Sequence, residues 1–383
     1  MSTSPRPARE VTIVAHDIGS VGGMERVLGE LILGLRERGH PVTVVARTCR
    51  LPASAGVKFH RVPGPARPVL LAYPWFMLLG SLILARRRRG VVQVTGAIVL
   101  NHVDVVSVHY LHCVGPVTPS RASLLYRVHA WLVSALLRLG ERVLFARDRD
   151  AVFVGVSDGV ADELREYYPR LRARVRAIHN GVDVETFAPQ GDRAAQRRVA
   201  RERFDVPAER LVAAFVGSEW ERKGLEPAIR ALSLAREWDL AVAGEGDRAH
   251  YQALADSLGV GGSLHWLGVL DDVHEAYALA DAFLLPTSYE TFSLVTFEAA
   301  ASGLPLLVTP VNGVRELLRD GENGFTISRE AEPIAAHLRG LGADASLRER
   351  LGACARESAL AFSWEAMVAK HEELYEQLAS EVR

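Results

Sequence analysis

The stretch richest in potential chemistry reads PTSYETFSLVTFEAAASGLPLLVTP and carries two carboxylates, Glu290 and Glu298, eight residues apart. On one continuous helix that spacing turns through about 80°, so the two would not line up. A simpler arrangement puts Glu290 in the loop after the apolar run AFLLPT (282–287) and starts a helix near Ser293, with Glu298 on its second turn. The main-chain N–H groups of Phe292, Ser293 and Leu294 would then stand free. A helix start of this kind binds phosphate through aligned donors and the helix dipole. The loop carboxylate would lie beside that phosphate, within reach of a sugar's hydroxyls. The apolar neighbours of Glu298, Leu294 to Ala300, argue against a solvated surface charge.

Three further stretches bear polar groups at strand ends. In FVGSEWERKGL, Gly217 opens a loop that leads to Arg222, Lys223 and Gly224. A guanidinium beside an ammonium can hold the negative charge of phosphate groups without a metal ion. In HDIGSVGGMERV, Gly22 and Gly23 precede Met24 and permit close backbone approach and positive φ. In VVSVHYLHC, His109 closes an apolar run, and His112 and Cys113 follow. No further ligands cluster near them, so no metal site is expected.

The elements that must position these groups alternate. VTIVA (11–15), a helix through MERVLGELILGLRERG and VTVVA (42–46) form a βαβ unit. Strand-like runs continue at 91–95, 105–109 and 152–157, and VRAIHNGVD (175–183) closes the first half. A polar stretch from about Phe187 to Val206, rich in arginine and without apolar period, reads as the connection between domains. Strands resume at 211–217, 239–244, 263–268, 282–287 and 305–310, separated by helices. The expected class is therefore α/β, with two Rossmann-like domains in tandem, whose ligands sit at the carboxyl ends of parallel strands. Two such sheets would face each other across a cleft.

The chain's 45 basic and 46 acidic side chains cancel, which disfavours a nucleic-acid binder. The GG loop lacks the GxGxxG pattern, and no acid ends the second strand at Arg47, which disfavours a nicotinamide dehydrogenase. The cysteines Cys49, Cys113 and Cys354 are scattered, as in a reducing cytoplasm. The first ten residues, MSTSPRPARE, lack the apolar core of a signal peptide. Val69 to Ala85 is strongly apolar and is followed by Arg86, Arg87, Arg88 and Arg89. Its length falls short of a bilayer and Pro74 divides it, so the expectation is a buried or interfacial helix over about Trp75 to Ala85. Segment 69–89 is a candidate for peripheral contact with anionic lipid, and Leu124 to Phe145 mixes apolar residues with arginines in a similar way.

The Glu-x7-Glu spacing, followed by A-x-G-x-P and N-G-x-x-E, resembles family four of the retaining glycosyltransferases with the GT-B fold. The likeness covers most of the chain and is most specific from Gly217 to Glu316. It implies that Glu290 contacts the donor sugar at its reacting end and that Glu298 holds the ribose hydroxyls. It gives the donor diphosphate to Arg222, Lys223, Gly23 and the helix start at Phe292, Ser293 and Leu294. Gly22 and Met24 fall in the acceptor-side loop. A histidine facing the sugar is implied as well, with His109 favoured over His112. Many relatives carry an arginine directly after the glycine where this chain has Ser218. Ser293 and Thr296 stand where relatives often have a glycine and an aliphatic residue.

The resemblance implies transfer of a hexose-type sugar, with retention, from a nucleotide diphosphate sugar, UDP-sugar favoured. The acceptor would be a hydroxyl of a glycan, a lipid or a small natural product. No cofactor or metal is implied. A nucleotide-sugar epimerase, a phosphorylase or a non-catalytic nucleotide-sugar-binding subunit on the same fold is the alternative. The implied domains are 1–188, joined by a C-terminal helix over 364–383, and 189–363. A cytoplasmic place follows, at or near the inner face of the membrane.

Overall fold

A computed structural model describes residues 8–19, 22–115, 123–147, 150–189 and 191–381. The chain divides into two compact units, 1–181 with 364–383, and 182–363. The expected boundary after Ala188 falls inside the second of these.

The first unit holds seven strands: β1 Val11–Ile18, β2 Val42–Cys49, β3 Lys58–Arg61, β4 Val91–Thr95, β5 Val105–Val108, β6 Val152–Gly155 and β7 Val175–Ala177. They form one parallel sheet in the order β3-β2-β1-β4-β5-β6-β7. The second unit holds β8 Leu211–Val216, β9 Trp238–Ala243, β10 Leu264–Gly268, β11 Ala282–Leu285, β12 Leu306–Val308 and β13 Gly324–Thr326. These run parallel in the order β10-β9-β8-β11-β12-β13. The central strands are rich in Val, Ile, Leu, Ala and Phe and buried along most of their length, as helices on both faces require. The order reverses direction between β1 and β4 in one sheet and between β8 and β11 in the other. Loops diverge at such a switch point and leave room for a ligand beyond the carboxyl ends of the strands.

The last helix, Trp364–Glu381, belongs to the first unit. Gly34 packs against Val368, so helix Gly23–Glu37 approaches it closely. Glu372 accepts hydrogen bonds from Arg38 at 3.0 Å and contacts His40 Nε2 at 2.9 Å, and the buried Tyr375 hydroxyl donates to Gln93 of β4 at 2.6 Å.

Two expectations need correction. The polar stretch after Phe187 is not a plain connection, because Arg193–Arg203 is a helix of the second unit, capped by the Asp192 carboxylate. It lacks an apolar stripe because a buried guanidinium anchors it: Arg201 donates to Asp281 at 2.8 Å and to the carbonyl of Leu279 at 2.9 Å. The apolar segment forms one helix, Val69–Arg87, that runs through Pro74. Proline there forfeits one main-chain hydrogen bond without ending the helix. Ala72, Tyr73, Phe76, Gly80 and Leu84 recur at helical spacing and face the interior. The helix is long and apolar enough to cross a membrane by length and composition, with about a third of it buried.

Candidate functional site

In the second unit, the switch point brings together the loops after β8 and β11. The first passes from Gly217 into a one-turn helix, Trp220–Lys223, that ends at Gly224, and the second carries Glu290. Gly224 has φ +83°, and a Cβ there would stand 2.1 Å from the carbonyl oxygen of Pro286, so only glycine lets the two loops close. Their side chains meet. Glu290 Oε1 accepts from Lys223 Nζ at 2.9 Å, from Arg222 at 3.0 Å and from the Thr287 hydroxyl at 3.2 Å. Arg222 also donates to Glu219 at 2.8 Å and to the carbonyl of Tyr289. Burial alone would raise the Glu290 pKa, but Lys223 and then Arg222 overcome it and hold the carboxyl below its ordinary range. The sequence-predicted acid and basic pair are thus one hydrogen-bonded cluster.

Helix Leu294–Ala301 follows directly. The main-chain N–H groups of Phe292, Ser293 and Leu294 have no partner among the described residues. The Phe292 side chain turns inward and stacks on Phe297 with ring centres 4.1 Å apart. Ser293 caps the helix in the left-handed region at φ +68°. That conformation strains a residue with a Cβ, which accounts for glycine at this place in the pattern. Its hydroxyl contacts that of Thr296 at 2.9 Å in the interior. The two departures from the pattern therefore bond to each other. Glu219, beside the basic pair, also has positive φ, +56°. Strain of this kind persists where the surroundings over-determine the backbone and gathers at functional sites.

Glu298 lies one turn further in, 4% exposed, and accepts from the Tyr277 hydroxyl at 2.9 Å. Glu290 and Glu298 thus have different partners. Tyr277, 21 residues earlier, escaped sequence reading because nothing local marks it as the partner of a carboxylate.

In the first unit, the switch point between β1 and β4 opens into a cavity of about 400 Å³. His16 and Asp17 from β1, Thr95 at the end of β4 with Gly96 after it, and His109 after β5 line it, together with Met24. Gly22, with φ +94°, precedes helix Gly23–Glu37, and Met24 stands in its first turn. Burial is the main force lowering the pKa of both His16 and His109 to about 4, so both rings are neutral near pH 7. His112 lines the same cavity with a carboxylate beside it. Its Nδ1 lies 2.6 Å from the buried Glu141, whose carboxylate also accepts the His112 main-chain N–H at 2.9 Å. The sequence reading missed Glu141. The available signal was its being the one acid in the apolar, arginine-bearing helix Leu124–Arg147. Arg47 pairs with Asp17 across β1 and β2.

Comparison with known proteins places both units. A family model described as "Glycosyltransferase Family 4" matches residues 21–186, and one described as "Glycosyl transferases group 1" matches residues 196–358. The D-inositol 3-phosphate glycosyltransferase of Geodermatophilus obscurus is 30% identical over 409 residues, covering 94% of this chain and 88% of that one. Among solved structures, WaaG, a glycosyltransferase of lipopolysaccharide biosynthesis, superposes with a TM-score of 0.76 at 20% identity, over 95% of this chain and 99% of that one. HepE of Anabaena, solved with UDP and glucose, gives a TM-score of 0.72 at 16% identity, over 95% and 98%.

Proposed function

The chain belongs to family four of the glycosyltransferases, and we propose that within it this enzyme transfers a hexose from UDP-sugar to an acceptor hydroxyl with retention of anomeric configuration. One observation carries the reading. A carboxylate, a guanidinium and an ammonium share one oxygen at the switch point of the second sheet, beside a helix start with unpaired N–H groups. That cluster offers positive charge and free donors to a diphosphate and a carboxylate to a sugar, all without a metal ion.

In the proposed reaction Arg222, Lys223, Gly23 and the N–H groups of Phe292, Ser293 and Leu294 bind the diphosphate. Glu298 takes the ribose hydroxyls, and Glu290 orients the sugar. The bond between the anomeric carbon and the diphosphate oxygen breaks with its electrons going to the phosphate. The acceptor oxygen bonds to the same face of that carbon, and the acceptor's proton passes to a phosphate oxygen. His109, kept neutral by burial, is assigned to the sugar as a hydrogen-bonding group. The cavity of the first unit, with Gly22 and Met24 beside it, is assigned to the acceptor. UDP is favoured as the nucleotide, in keeping with the ligand held by HepE. An acceptor bearing a sugar or cyclitol fits the names of the relatives.

The same reading places the enzyme at the cytoplasmic face of a membrane. Leu71, Trp75, Leu78 and Leu82 are exposed on helix Val69–Arg87, as are Leu125, Trp131 and Leu139 on helix Leu124–Arg147, which packs against it. Arg86, Arg87, Arg88 and Arg89 are exposed at the end of the first. Apolar side chains rimmed by arginine suit an anionic lipid surface.

The donor class is tested by thermal shift with UDP, GDP, ADP, CMP and dTDP sugars on wild type and Glu298→Ala. A ligand that binds only the native state raises the melting temperature. Stabilisation of wild type by UDP-sugar, lost in Glu298→Ala, supports the assignment. No shift with any nucleotide at millimolar concentration would sink it.

A further inference from the structure

A second cavity, of about 530 Å³, lies at the opposite end of the second sheet, where β11 and β12 begin. Asp281 and Pro305, the residues just before those strands, form its floor, and five arginines surround it. Arg193, Arg197 and Arg201 repeat every fourth residue along helix Arg193–Arg203, so their side chains share one face. Arg198 adjoins them, and Arg348 comes from helix Ala345–Ala359. Among the described residues, two carboxylates, Asp281 and Glu349, line the cavity with them.

The way these arginines are held separates structure from function. Arg201 is a structural anchor, since its donors are used by Asp281 and by the carbonyls of Leu279, Pro207, Ala208 and Arg210. Arg197 grips both oxygens of the same Asp281 carboxylate, at 2.8 and 3.1 Å. One carboxylate therefore serves two guanidiniums. Arg193 and Arg348 are fixed differently. Arg193 donates twice to the carbonyl of Gly303, at 3.2 Å, and Arg348 donates to the carbonyls of Leu341 and Gly342. Main-chain carbonyls orient a guanidinium without neutralising it. Burial is the main force lowering the pKa of both Arg193 and Arg201; Asp281 pulls the other way, and Arg197 adds a smaller push down. Ala194, Ala208, Ala280 and Ala345 complete the walls with short apolar side chains that leave room for an organic group.

We propose that this arginine-walled cavity is a second ligand site, separate from the donor site, that binds a phosphate-bearing small molecule. Arg193 and Arg348 supply planar, pre-oriented donors from two helices, which suit a phosphate better than a lone lysine would. The volume falls in the range of small-molecule sites and accepts a molecule of sugar-phosphate or nucleotide size. Occupation links helix Arg193–Arg203 to helix Ala345–Ala359 through the bound anion.

Hydrogen–deuterium exchange of the full chain with sodium pyrophosphate tests this, because exchange reports where the anion acts. The expected result is slower exchange in peptides from both helices, rising with pyrophosphate. In Arg193→Ala/Arg348→Ala, protection there needs roughly tenfold more pyrophosphate, while the response of peptides around residues 286–301 is unchanged and shows the variant to be folded. Glu349→Gln removes an opposing charge and shifts half-protection to lower concentration, a gain that misfolding does not produce. Absence of protection in the two helices at millimolar pyrophosphate overturns the proposal. So does protection that is the same in wild type and the double variant, and so does a Glu349→Gln variant that binds no tighter.

Discussion

Replacing Glu290 by glutamine isolates what its carboxylate does for the donor site. Lys223 Nζ and the Arg222 guanidinium each lie about 3 Å from the same Glu290 oxygen, which puts the two cations within about 6 Å of each other. At an effective dielectric of ~20 their repulsion is about 3 kcal/mol, and in the native protein the carboxylate offsets it. Glutamine keeps the shape and loses the charge, so the second unit should lose about 2–4 kcal/mol. For a unit of this size each kcal/mol moves the melting temperature by about 2–4 °C. UDP brings its own negative charge to the uncompensated pair. Its stabilising effect should therefore be larger in Glu290→Gln than in wild type, whereas sugar transfer should fall. Differential scanning calorimetry with and without UDP reads the loss of stability and the UDP shift, and UDP release from UDP-sugar reads transfer. A variant that melts with wild type, or whose UDP shift is the smaller of the two, would refute the picture of a carboxylate holding two cations ready for a diphosphate.

Other perturbations test neighbouring parts of the account. Ser293→Gly should melt above Ser293→Ala, by about 1 kcal/mol, because both lose the hydroxyl but only alanine keeps a Cβ in the left-handed region; the reverse order, normal for a helix, would show no strain there. His16, His109 and His371 all have pKa values lowered to about 4, chiefly by burial. The unfolded chain thus binds more protons than the folded one between about pH 6.5 and 4, so the first unit should lose stability as pH falls through that window. For the nearly inaccessible His371 the loss is on the order of 1 kcal/mol by pH 5.5, and thermal melts at pH 7 and 5.5 that coincide would contradict the buried neutral rings. Arg86→Glu/Arg87→Glu should weaken co-sedimentation with anionic vesicles by about 1 kcal/mol for each arginine removed; equal binding of variant and wild type would assign those arginines to solvent alone.

How much the sequence disclosed depended on where each interaction closes. Glu290, Arg222 and Lys223 sit in the segments right after apolar strand runs, so strand–helix alternation placed them at the carboxyl ends before any contact was known. Their meeting across 67 and 68 residues follows from β8 and β11 being neighbours, which strand order decides and local pattern does not. Ser293 was legible as a departure, but its reason, a left-handed φ, belongs to the backbone. Helix Arg193–Arg203 was missed because it is held by a buried ion pair to Asp281 rather than by an apolar stripe, and periodicity detects only the latter. Glu141 and Tyr277 were missed for a related reason: each is an ordinary residue of its helix until a partner from elsewhere, His112 or Glu298, arrives beside it.

The central claim is that the second unit holds a nucleotide sugar for transfer with retention, and the most direct test uses water as acceptor. Wild type and Glu290→Gln are incubated with UDP-glucose, whose sugar is α-linked, and the released glucose is followed by proton NMR before its anomers interconvert. The account predicts that α-glucose appears first, together with an equal amount of UDP, and that Glu290→Gln releases it much more slowly. β-Glucose appearing first, or release at the same rate from both proteins, would contradict it.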